Sequence, residues 1–556
     1  MKKMVPVLIA IVLIIIIAGA AFGMKVVERF SYSKERMDLN EYYQLASAEE
    51  VALVLNNDIK EEKGILREGI CYLDLNTVHT YLNDRFYADY HEEWLLYTTP
   101  DEILYAKAGE AGEDGYVLAF LQDGTMYVAL DYVKKYTNFS YSLYTEPNRA
   151  VLTTSWEEHQ AADIRKDTAV RYQGGVKSDI LTEVAAGDKV TVLEEMENWS
   201  KVATEDGFLG YVENKRLENV RSETLIPVTD YVEPEYTSIR RDYKINLGWH
   251  QVTTEAANST LSSVLEGVSG MNVISPTWFF LSDNEGNFVS IGSTSYVEEA
   301  HSRGLEVWAL LDNFTYDVDT REILSYTSKR TKLIEGLIAE ALALGVDGIN
   351  VDLEQIPSDA GEDYIEFIRE LSIPCRANGL VLSVDNYVPK DYNAHYHWKE
   401  QGIVADYVII MGYDEHYGGS QEVGSVASIN YVEDGISTMV QSVSPEKVIN
   451  AVPFYTRIWE TSGGEVKSQA VGMSAAETFL AERGVTASWD ETTCQNYAEL
   501  QDGDAFYQVW LEDAQSLEVK MNIMKKYGLG GVAAWKLGYE SGHPEVWEVL
   551  SGFVNG

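Results

Sequence analysis

Cysteine and histidine are scarce in this 556-residue sequence. The three cysteines, Cys71, Cys375 and Cys494, are far apart and odd in number, which excludes a disulfide framework and the close spacing of a metal site. The nine histidines show no H-E-x-x-H arrangement, and neither a P-loop nor a nucleotide-binding fingerprint occurs. We therefore expect no metal ion and no cofactor.

Basic residues are also few, with 43 Lys and Arg against 88 Asp and Glu and a net charge of -45. Such a chain repels polyphosphates, so we expect no nucleic-acid partner. The charge is typical of a well-solvated acidic surface. The hydrophobic content of 46% indicates a folded protein, and the length suggests roughly two to four domains.

The N-terminal run from Met4 to Met24 has no charged residue. A spanning helix needs roughly 20 apolar residues, whereas the core of a signal peptide is usually shorter. We therefore predict a transmembrane anchor over residues 1–24. Lys2 and Lys3 would stay in the cytoplasm, which places the bulk of the chain outside a single-pass cell membrane. Small residues at 18–21 also permit cleavage, which would make the protein secreted; the lack of paired cysteines favours a bacterial surface.

Two segments with different patterns follow the anchor. Residues 25–62 are charged and helix-prone, and we interpret them as a stalk. Residues 63–155 contain short strand-like runs and are predicted to form a small α+β domain. Its pattern resembles the N-terminal domain of copper amine oxidases that is reused on bacterial surface proteins. The resemblance carries no copper ligands and implies no chemistry.

Residues 163–222 alternate short strands with turns such as GD and DG. The segments AAGDKVTVL and WSKVATEDGFLGYV resemble the bacterial Src-homology-3-like domain, which implies a small all-β barrel. Such domains often bind cell-wall peptides, and a spacer barrel without a ligand is an equally open interpretation. Residues 223–243 are predicted to be a linker.

From residue 244 to 556 the sequence alternates strand-like and helix-like segments. Eight strands with intervening helices are what a (β/α)8 TIM barrel requires, so an α/β barrel is the predicted fold of this part. The long interval between Tyr455 and Gly530 predicts an inserted hairpin or small subdomain. The candidate strands are residues 245–252, 271–281, 305–313, 346–354, 380–388, 406–414, 447–455 and 530–538.

The fourth predicted strand, in GVDGINVDLE, places Asn350, Asp352 and Glu354 on one face because they alternate with apolar residues. Active sites of such barrels lie at the carboxyl ends of the strands. Alternate residues lie roughly 6.6 Å apart along a strand, so the two acids are close enough for one to hold the other's proton. A buried carboxylic acid with a raised pKa is what a general acid needs.

These residues resemble a family signature. D-G-I-N-V-D-L-E is similar to the D-G-x-D-x-D-x-E motif of glycoside hydrolase family 18, the chitinase family. The segments M-G-Y-D at 411–414, V-P-F-Y-T-R at 452–457 and A-W-K-L-G at 534–538 are similar to the motifs of strands six, seven and eight. The segments INVDLE, ISPTWFFL and WLEDAQSLEVKMNIMKKYGLGGVAAWKLG resemble the spore-cortex and cell-wall branch, which combines wall-binding modules with this barrel. That branch acts on N-acetylglucosamine linkages in peptidoglycan.

The resemblance implies a retaining glycosidase without a carboxylate nucleophile, an exception to the two-carboxylate scheme. Glu354 would protonate the glycosidic oxygen while the substrate's own acetamido carbonyl attacks the anomeric carbon. Asp352 would accept the acetamido N–H, and Tyr413 would donate to the acetamido oxygen. The implied substrate-binding residues are Asp414, Asn350, Tyr455, Met411 and Trp535, the last as an apolar floor under the sugar.

Two positions depart from the family pattern. Asn350 replaces an aspartate and cannot share a proton with Asp352, which predicts an altered pH profile. Thr456 replaces a glycine and is expected to alter the shape of a subsite. The rival hypothesis is a noncatalytic, lectin-like glycan-binding protein on the same fold, and the presence of Glu354 favours the enzyme. Peptidoglycan and chitin both stay open as substrates, with endo or exo cleavage.

Overall fold

The computed structural model describes residues 5–227 and 229–556, so Lys2 and Lys3 of the predicted anchor lie outside the described residues. By internal contacts the described chain divides into two compact units. The first comprises the chain up to Ala88 together with Ala106–Glu233, and the second comprises Asp89–Tyr105 together with Pro234–Gly556. This division differs from the boundaries proposed from the sequence, which stay predictions.

A long apolar helix, Val5–Phe30, begins the first unit. Its segment Val7–Val26 has a mean hydropathy of 3.0 over 20 residues and is not buried against other parts of the described chain. Among the described residues it is the one helix that is long and apolar enough to cross a membrane. This length and composition suit an anchor or a signal sequence.

Seven strands form the first sheet of this unit, accompanied by the helices Leu75–Tyr81 and Leu130–Lys135. Residues 50–62, assigned to a stalk from the sequence, differ from that expectation because they form two strands of this sheet. The run VALVL is buried, and Asn56 and Asn57, at φ 49° and 63°, make the tight turn after it. The strand order is Ala119–Gln122, Thr125–Ala129, Ile70–Asp74, Asp58–Arg67, Glu50–Leu55, Arg149–Thr153 and Ser140–Tyr144.

A second seven-stranded sheet contains the segment predicted to resemble a Src-homology-3 barrel. Within the first unit, helix Leu39–Tyr43 joins the two sheets, because Tyr43 packs with Val54 of one and Leu181 of the other. The Tyr43 hydroxyl also donates to the carbonyl of Gly207 at 2.9 Å. The strand order is Ile180–Val184, Thr168–Arg171, Leu209–Glu213, Trp199–Thr204, Lys189–Glu195, Glu158–Ile164 and Leu217–Thr224.

The second unit is built on a closed barrel of eight parallel strands. Strand eight pairs with strands one and seven, and strand one pairs with strand two, which closes the barrel. The interior is filled by side chains such as Trp249, Trp308 and Ile409, so the barrel is a packed core rather than a pore. The predicted barrel is confirmed. Barrel strands one to eight are Ile245–His250, Val273–Leu281, Glu306–Asp312, Gly348–Asp352, Val381–Tyr387, Tyr407–Met411, Val448–Pro453 and Gly531–Trp535.

Helices cover the outside of the barrel and bury their apolar faces against the strands. The longest, Thr327–Leu344, ends at Gly345, whose φ of 76° is the left-handed conformation that closes a helix before the next strand. The remaining helices of this unit are Leu261–Val264, Thr294–Ser302, Thr320–Leu324, Gly361–Ala377, Trp398–Val404, Ile429–Met439, Met473–Glu482, Ala514–Tyr527 and Glu545–Val554.

The insertion predicted between barrel strands seven and eight is a small subdomain. Helix Met473–Glu482 packs Leu480 against Ala498 and Val509 of an antiparallel sheet. Thr456 is buried in this sheet and donates its hydroxyl to the carbonyl of Trp510, so its side chain serves the subdomain rather than the subsite expected from the sequence. The strand order is Glu465–Gly472, Tyr455–Ser462, Ala505–Leu511, Gln495–Asp502 and Ser488–Asp490.

The segment Asp89–Tyr105 belongs to the barrel unit although it lies inside the predicted α+β domain in sequence. Asp89 accepts a hydrogen bond from the backbone N–H of Thr327 at 2.7 Å, and Thr98 donates to Glu366 at 2.6 Å. These contacts tie the segment to two helices of the barrel. The strands in this part of the chain are Phe86–Asp89, Trp94–Thr98 and Ile103–Lys107.

Candidate active site

Three acids lie in one row at the carboxyl ends of barrel strands three, four and five. Asp312 stands opposite Asp352 in the strand pairing. Val351 of strand four pairs with Val384 of strand five. Asp352 and Asp385 are the next residues on these two strands, so they lie at the same level. Neighbouring strands are roughly 4.8 Å apart, and all three acids are buried. Acids this close in a buried place cannot all ionise easily.

Glu354 lies just beyond strand four and is held from two sides. The Tyr387 hydroxyl donates to Oε2 of Glu354 at 2.6 Å. The side chain of Asn313 accepts from the backbone N–H of Glu354 at 2.9 Å and donates to its carbonyl at 2.8 Å. The chain then turns at Gln355, whose φ of 55° is a backbone conformation that residues other than glycine rarely adopt. The carboxyl group is therefore held in one place at the mouth of the barrel.

The pKa of Glu354 is raised above its ordinary value. Burial is the main cause, and the nearby charges of Asp414 and Asp312 act in the same direction. The hydrogen bond from Tyr387 opposes this shift because it favours the ionised carboxylate. Glu354 thus keeps its proton to a higher pH than an ordinary glutamic acid, which suits a general acid.

Asp352 lines the cavity beside Glu354 and is itself buried. Its Oδ1 has no hydrogen-bond partner among the described residues. Burial raises the pKa of Asp352 well above its ordinary value, and the neighbouring acids Asp385, Glu354 and Asp312 act in the same direction. A buried oxygen without a partner is unfavourable, so this position is suited to an N–H donor from a bound molecule.

Asn350 lies below Asp352, inside the barrel, and does not line the cavity. Its Oδ1 accepts from Trp249 Nε1 at 2.9 Å and from the Ser275 hydroxyl at 3.2 Å. Its Nδ2 donates to the Ser383 hydroxyl at 3.1 Å and to Asp385 at 2.8 Å. All four bonds go to the protein, so Asn350 supports the site instead of contacting substrate as expected from the sequence.

Barrel strand six carries the next predicted residues into the cavity. Met411, Tyr413 and Asp414 all line it. A Cβ atom at Gly412 would lie 2.6 Å from the Ala451 carbonyl, so the close approach of the two strands there requires glycine. Asp414 takes the left-handed conformation, at φ 59°, which is uncommon for a residue other than glycine.

Tyr455 is buried behind this segment and does not line the cavity. Its hydroxyl donates to Oδ1 of Asp414 at 2.6 Å, and its ring meets that of Tyr413 edge-on at 6.2 Å. The sequence predicted contact with substrate for Tyr455. Its position instead orients two residues that do face the cavity.

Trp535 lines a cavity of about 740 Å³. Its ring packs edge-on against Trp249 at 6.1 Å, and the Trp535–Lys536 peptide bond is cis. Four aromatic side chains that line the same cavity are largely exposed to solvent: Phe314, Tyr316, Tyr392 and Tyr417. A cavity lined by Trp535 and by exposed aromatic rings is suited to ligands with flat apolar faces, such as sugar rings.

Two histidines near strand ends have structural roles. His250 is buried between Tyr296 and Thr260, with ring nitrogens 2.9 and 3.1 Å from their hydroxyls. Burial lowers the pKa of His250 to about 4, and the charge of Lys536 adds to this effect. His416 bonds to the carbonyl of Ser425. Within the described residues, no group of three or more His, Cys, Asp or Glu side chains is placed to hold a metal ion.

The sequence reasoning missed Asp312, Asn313 and Asp385. Asp312 caps the loop after strand three by accepting from the backbone N–H and hydroxyl of Thr315. A signal for these residues was present, because D-N follows an apolar run in both LLDN and SVDN. In each case the aspartate falls at the carboxyl end of a predicted strand, where active-site residues of barrels lie.

Residues 286–540 match the family model described as Glycosyl hydrolases family 18. The barrel carries a glycosyl hydrolase family 18 domain. A second match, described as Bacterial SH3 domain, covers residues 166–218, and this confirms the resemblance of that segment. The family 18 domain places the second unit among the glycoside hydrolases.

Known relatives agree with this assignment. The Uncharacterized glycosylase YvbX of Bacillus subtilis is 24% identical over 300 residues, covering 52% of this chain and 87% of that protein. The Cortical fragment-lytic enzyme of Bacillus anthracis is 26% identical over 248 residues, or 43% of this chain. The chain spans 56% of the length of that enzyme.

A solved structure has the same barrel fold. The Bacillus cereus spore cortex-lytic enzyme SleL aligns with a TM-score of 0.50 and 21% identity, over 59% of this chain and 78% of that one. The C-terminal domain of a putative chitinase from Desulfitobacterium hafniense also gives a TM-score of 0.50, with 19% identity over 56% of this chain and 99% of that one. These likenesses concern the fold of the family 18 domain.

Proposed function

We propose that the protein hydrolyses N-acetylglucosamine linkages in peptidoglycan or a chitin-like glycan, outside the cell and with retention of the anomeric configuration. The observation that carries this proposal is the position of Glu354, a partly buried acid held by Tyr387 and Asn313 beside the unpartnered Oδ1 of Asp352. One group is suited to give a proton, and the other is suited to accept an N–H.

The proposed reaction uses the substrate as its own nucleophile. Glu354 gives its proton to the glycosidic oxygen, and the bond from that oxygen to the anomeric carbon breaks. The acetamido carbonyl oxygen of the same sugar forms a bond to that carbon, giving an oxazolinium ion. Water then attacks the anomeric carbon, and the bond from that carbon to the acetamido oxygen breaks, which restores the acetamido group. The ionised Glu354 takes a proton from the attacking water and is ready for the next cycle.

The other residues orient the acetamido group during these steps. Asp352 accepts its N–H and places negative charge beside the developing positive charge. Tyr413 donates to its carbonyl oxygen, and Asp414, held by Tyr455, contacts the same sugar. Trp535 lies beneath the sugar ring. These roles follow the positions of Asp352, Tyr413, Asp414 and Trp535 in one cavity.

The charge of the cavity supports a preference for one sugar of peptidoglycan. Asp312, Asp352, Glu354 and Asp414 all line it, so a sugar bearing a carboxylate would be repelled there. N-acetylglucosamine is neutral, whereas N-acetylmuramic acid carries a lactyl carboxylate. We infer that N-acetylglucosamine occupies the position beside Glu354, so that the cleaved bond is the one to its anomeric carbon.

The first unit supports a location at the cell wall. We infer that Val7–Val26 holds the protein in the cell membrane and that the Src-homology-3-like segment contacts the wall. The hydropathy of the helix and the bacterial SH3 match support these two parts of the proposal. The exposed aromatic rings around the cavity support a glycan of several sugars rather than a single one.

The test is product release by the full chain in mild detergent, with purified peptidoglycan and with chitooligosaccharides separately. Glu354→Gln keeps the size of the side chain and removes the acid, so turnover is expected to fall by roughly a thousandfold. Glu422→Gln, a change at an exposed acid after barrel strand six, is the matched control and is expected to retain activity.

Mass spectrometry of the soluble products reads the result. Fragments ending in N-acetylglucosamine from the wild type and the control, but not from Glu354→Gln, support the enzyme, and the polymer that yields them is the substrate. If none of the three proteins releases soluble products but all of them still bind the glycan, the lectin-like alternative is favoured.

A further inference from the structure

Asp385 is a buried carboxyl group for which the proposed reaction has no use. It lies on barrel strand five, is 3% exposed and does not line the cavity. Its Oδ1 accepts a hydrogen bond from Nδ2 of Asn350 at 2.8 Å. Burying an acid is costly unless it is paired or holds a proton, so its presence directly beside the reacting groups needs a physical reason.

The strand pairing places Asp385 next to Asp352. Asn350 pairs with Ser383 and Val351 pairs with Val384, so Asp352 and Asp385 follow at the same level of the barrel. Side chains alternate along a strand. Asn350 bonds to the side chains of Ser383 and Asp385, so these two residues, like Asn350, point to the barrel interior.

The groups that face Asp385 come from three other elements. Asp352 and Glu354 belong to strand four and its end, Tyr413 follows strand six, and Tyr364 lies on helix Gly361–Ala377. Burial raises the pKa of Asp385 to about 8, and the charge of Glu354 acts in the same direction. The hydrogen bond from Asn350 opposes the shift and is made to Oδ1 of Asp385.

The two neighbouring acids have different needs in the proposed reaction. Asp352 must be a carboxylate when the acetamido N–H and the positive oxazolinium face it. Its burial beside other acids disfavours that charge. A neighbouring acid that keeps its proton can donate it to the Asp352 carboxylate, as a hydrogen bond to the charged form favours ionisation.

We propose that Asp385 is a positioning residue that stays protonated and donates a hydrogen bond to Asp352, which keeps Asp352 ionised for the substrate. This inference rests on the proposed function. The proton stays on Asp385 through the cycle, so the proton given to the leaving oxygen comes from Glu354 alone. Asn350 fixes the acceptor oxygen of Asp385 and so determines which of its oxygens carries the proton.

Two substitutions separate this role from a merely structural one. Asp385→Asn puts a permanent N–H donor where the inference places an O–H donor, so kcat at neutral pH is expected to stay within about threefold of the wild type. Asp385→Ala removes the donor, so kcat is expected to fall at least about tenfold and the acid limb of the pH profile to move up by roughly one pH unit. Ser383→Ala, which removes another partner of Asn350, is the matched control.

The outcomes are distinct. If kcat and the acid limb change as much in Asp385→Asn as in Asp385→Ala, the inference is overturned. The ionised form of Asp385 would then be the one that the reaction needs. An unshifted acid limb in Asp385→Ala would also overturn it. An inactive wild type would contradict the proposed function instead of this inference, and a second measurement then applies.

That second measurement is the apparent unfolding temperature against pH. Because the pKa of Asp385 is raised in the folded state, its stabilising contribution is present below about pH 4 and is lost as the pH rises toward 8. The full-length wild type is therefore expected to lose stability relative to Asp385→Asn across this range. A constant difference between the two proteins would contradict a protonated Asp385, whatever the enzyme does.

Discussion

The hydroxyl of Tyr387 lies 2.6 Å from Oε2 of Glu354 and donates a hydrogen bond to it. Burial raises the pKa of Glu354, and this hydrogen bond limits the rise. The same bond stabilises the carboxylate that remains after Glu354 has given up its proton. Tyr387 thus keeps the pKa of Glu354 in a range where both forms are accessible. The protonated form begins the reaction, and the ionised form follows proton transfer.

Replacing Tyr387 by Phe tests this balance. Without the hydroxyl the pKa of Glu354 is expected to rise, so the alkaline limb of the pH profile moves to higher pH. The carboxylate formed after proton transfer loses its partner, so kcat is expected to fall about 10- to 100-fold. The pH dependence of kcat/KM checks both points, with Tyr172→Phe at an exposed ring of the first unit as control. A limb that moves to lower pH would contradict the account.

Asn313→Ala tests whether the backbone of Glu354 must be held. Both hydrogen bonds from Asn313 to Glu354 would be lost, and a displaced acid is expected to lower kcat by roughly 10- to 100-fold with little change in KM. Thr320→Val is the control, because it removes another hydrogen-bond partner of Asn313 Nδ2 while both bonds from Asn313 to Glu354 can still form. Equal losses in both variants would argue against the positioning role.

Much of the barrel could be predicted because its strands are continuous apolar runs separated by helical segments. Each of the eight runs contains a barrel strand in the structure. The cluster around Glu354 could be predicted only in part, since Asp352 and Glu354 share one strand and their spacing is local. Asp385 lies on another strand, and its closeness to Asp352 depends on the pairing of strands four and five, which the sequence does not display.

A buried ion pair provides a test of stability away from the site. Arg330 and Glu370 lie 2.9 Å apart and are fully buried between two helices of the barrel. Arg330→Met leaves the carboxylate without this cation, so the free energy of unfolding is expected to fall by about 3 to 5 kcal/mol. The double change Arg330→Met with Glu370→Leu is expected to recover part of this loss. Denaturant unfolding checks both, and Arg303→Met in an exposed pair is the control.

The N-terminal helix gives a prediction on location. If Val7–Val26 is an anchor, the full chain stays in the membrane fraction after alkaline carbonate washing, and mass spectrometry finds the N-terminal peptide intact. Inserting two lysines in the middle of the helix is expected to release the protein, because charged residues are costly in the bilayer. A mature protein that starts after the small residues at 18–21 would show that the segment is cleaved.

Two segments show why local pattern was insufficient elsewhere. VALVL in residues 51–55 follows an acidic, helix-prone stretch, and only its pairing with two neighbouring strands identifies it as part of a sheet. Residues 89–105 look like any other part of the predicted α+β domain. Their membership of the barrel unit depends on contacts such as Arg376 with the Pro100 carbonyl, which lie far apart in sequence.

In the proposed reaction the substrate's acetamido group, rather than a second carboxylate, attacks the anomeric carbon. Proton NMR of the first product formed from a β-linked chitooligosaccharide tests it most directly, if spectra are recorded before the two anomers equilibrate. We expect the β anomer first, from two displacements at the same carbon, and no cleavage of the oligosaccharide that lacks its acetyl groups. Initial appearance of the α anomer, or cleavage without acetyl groups, would contradict it.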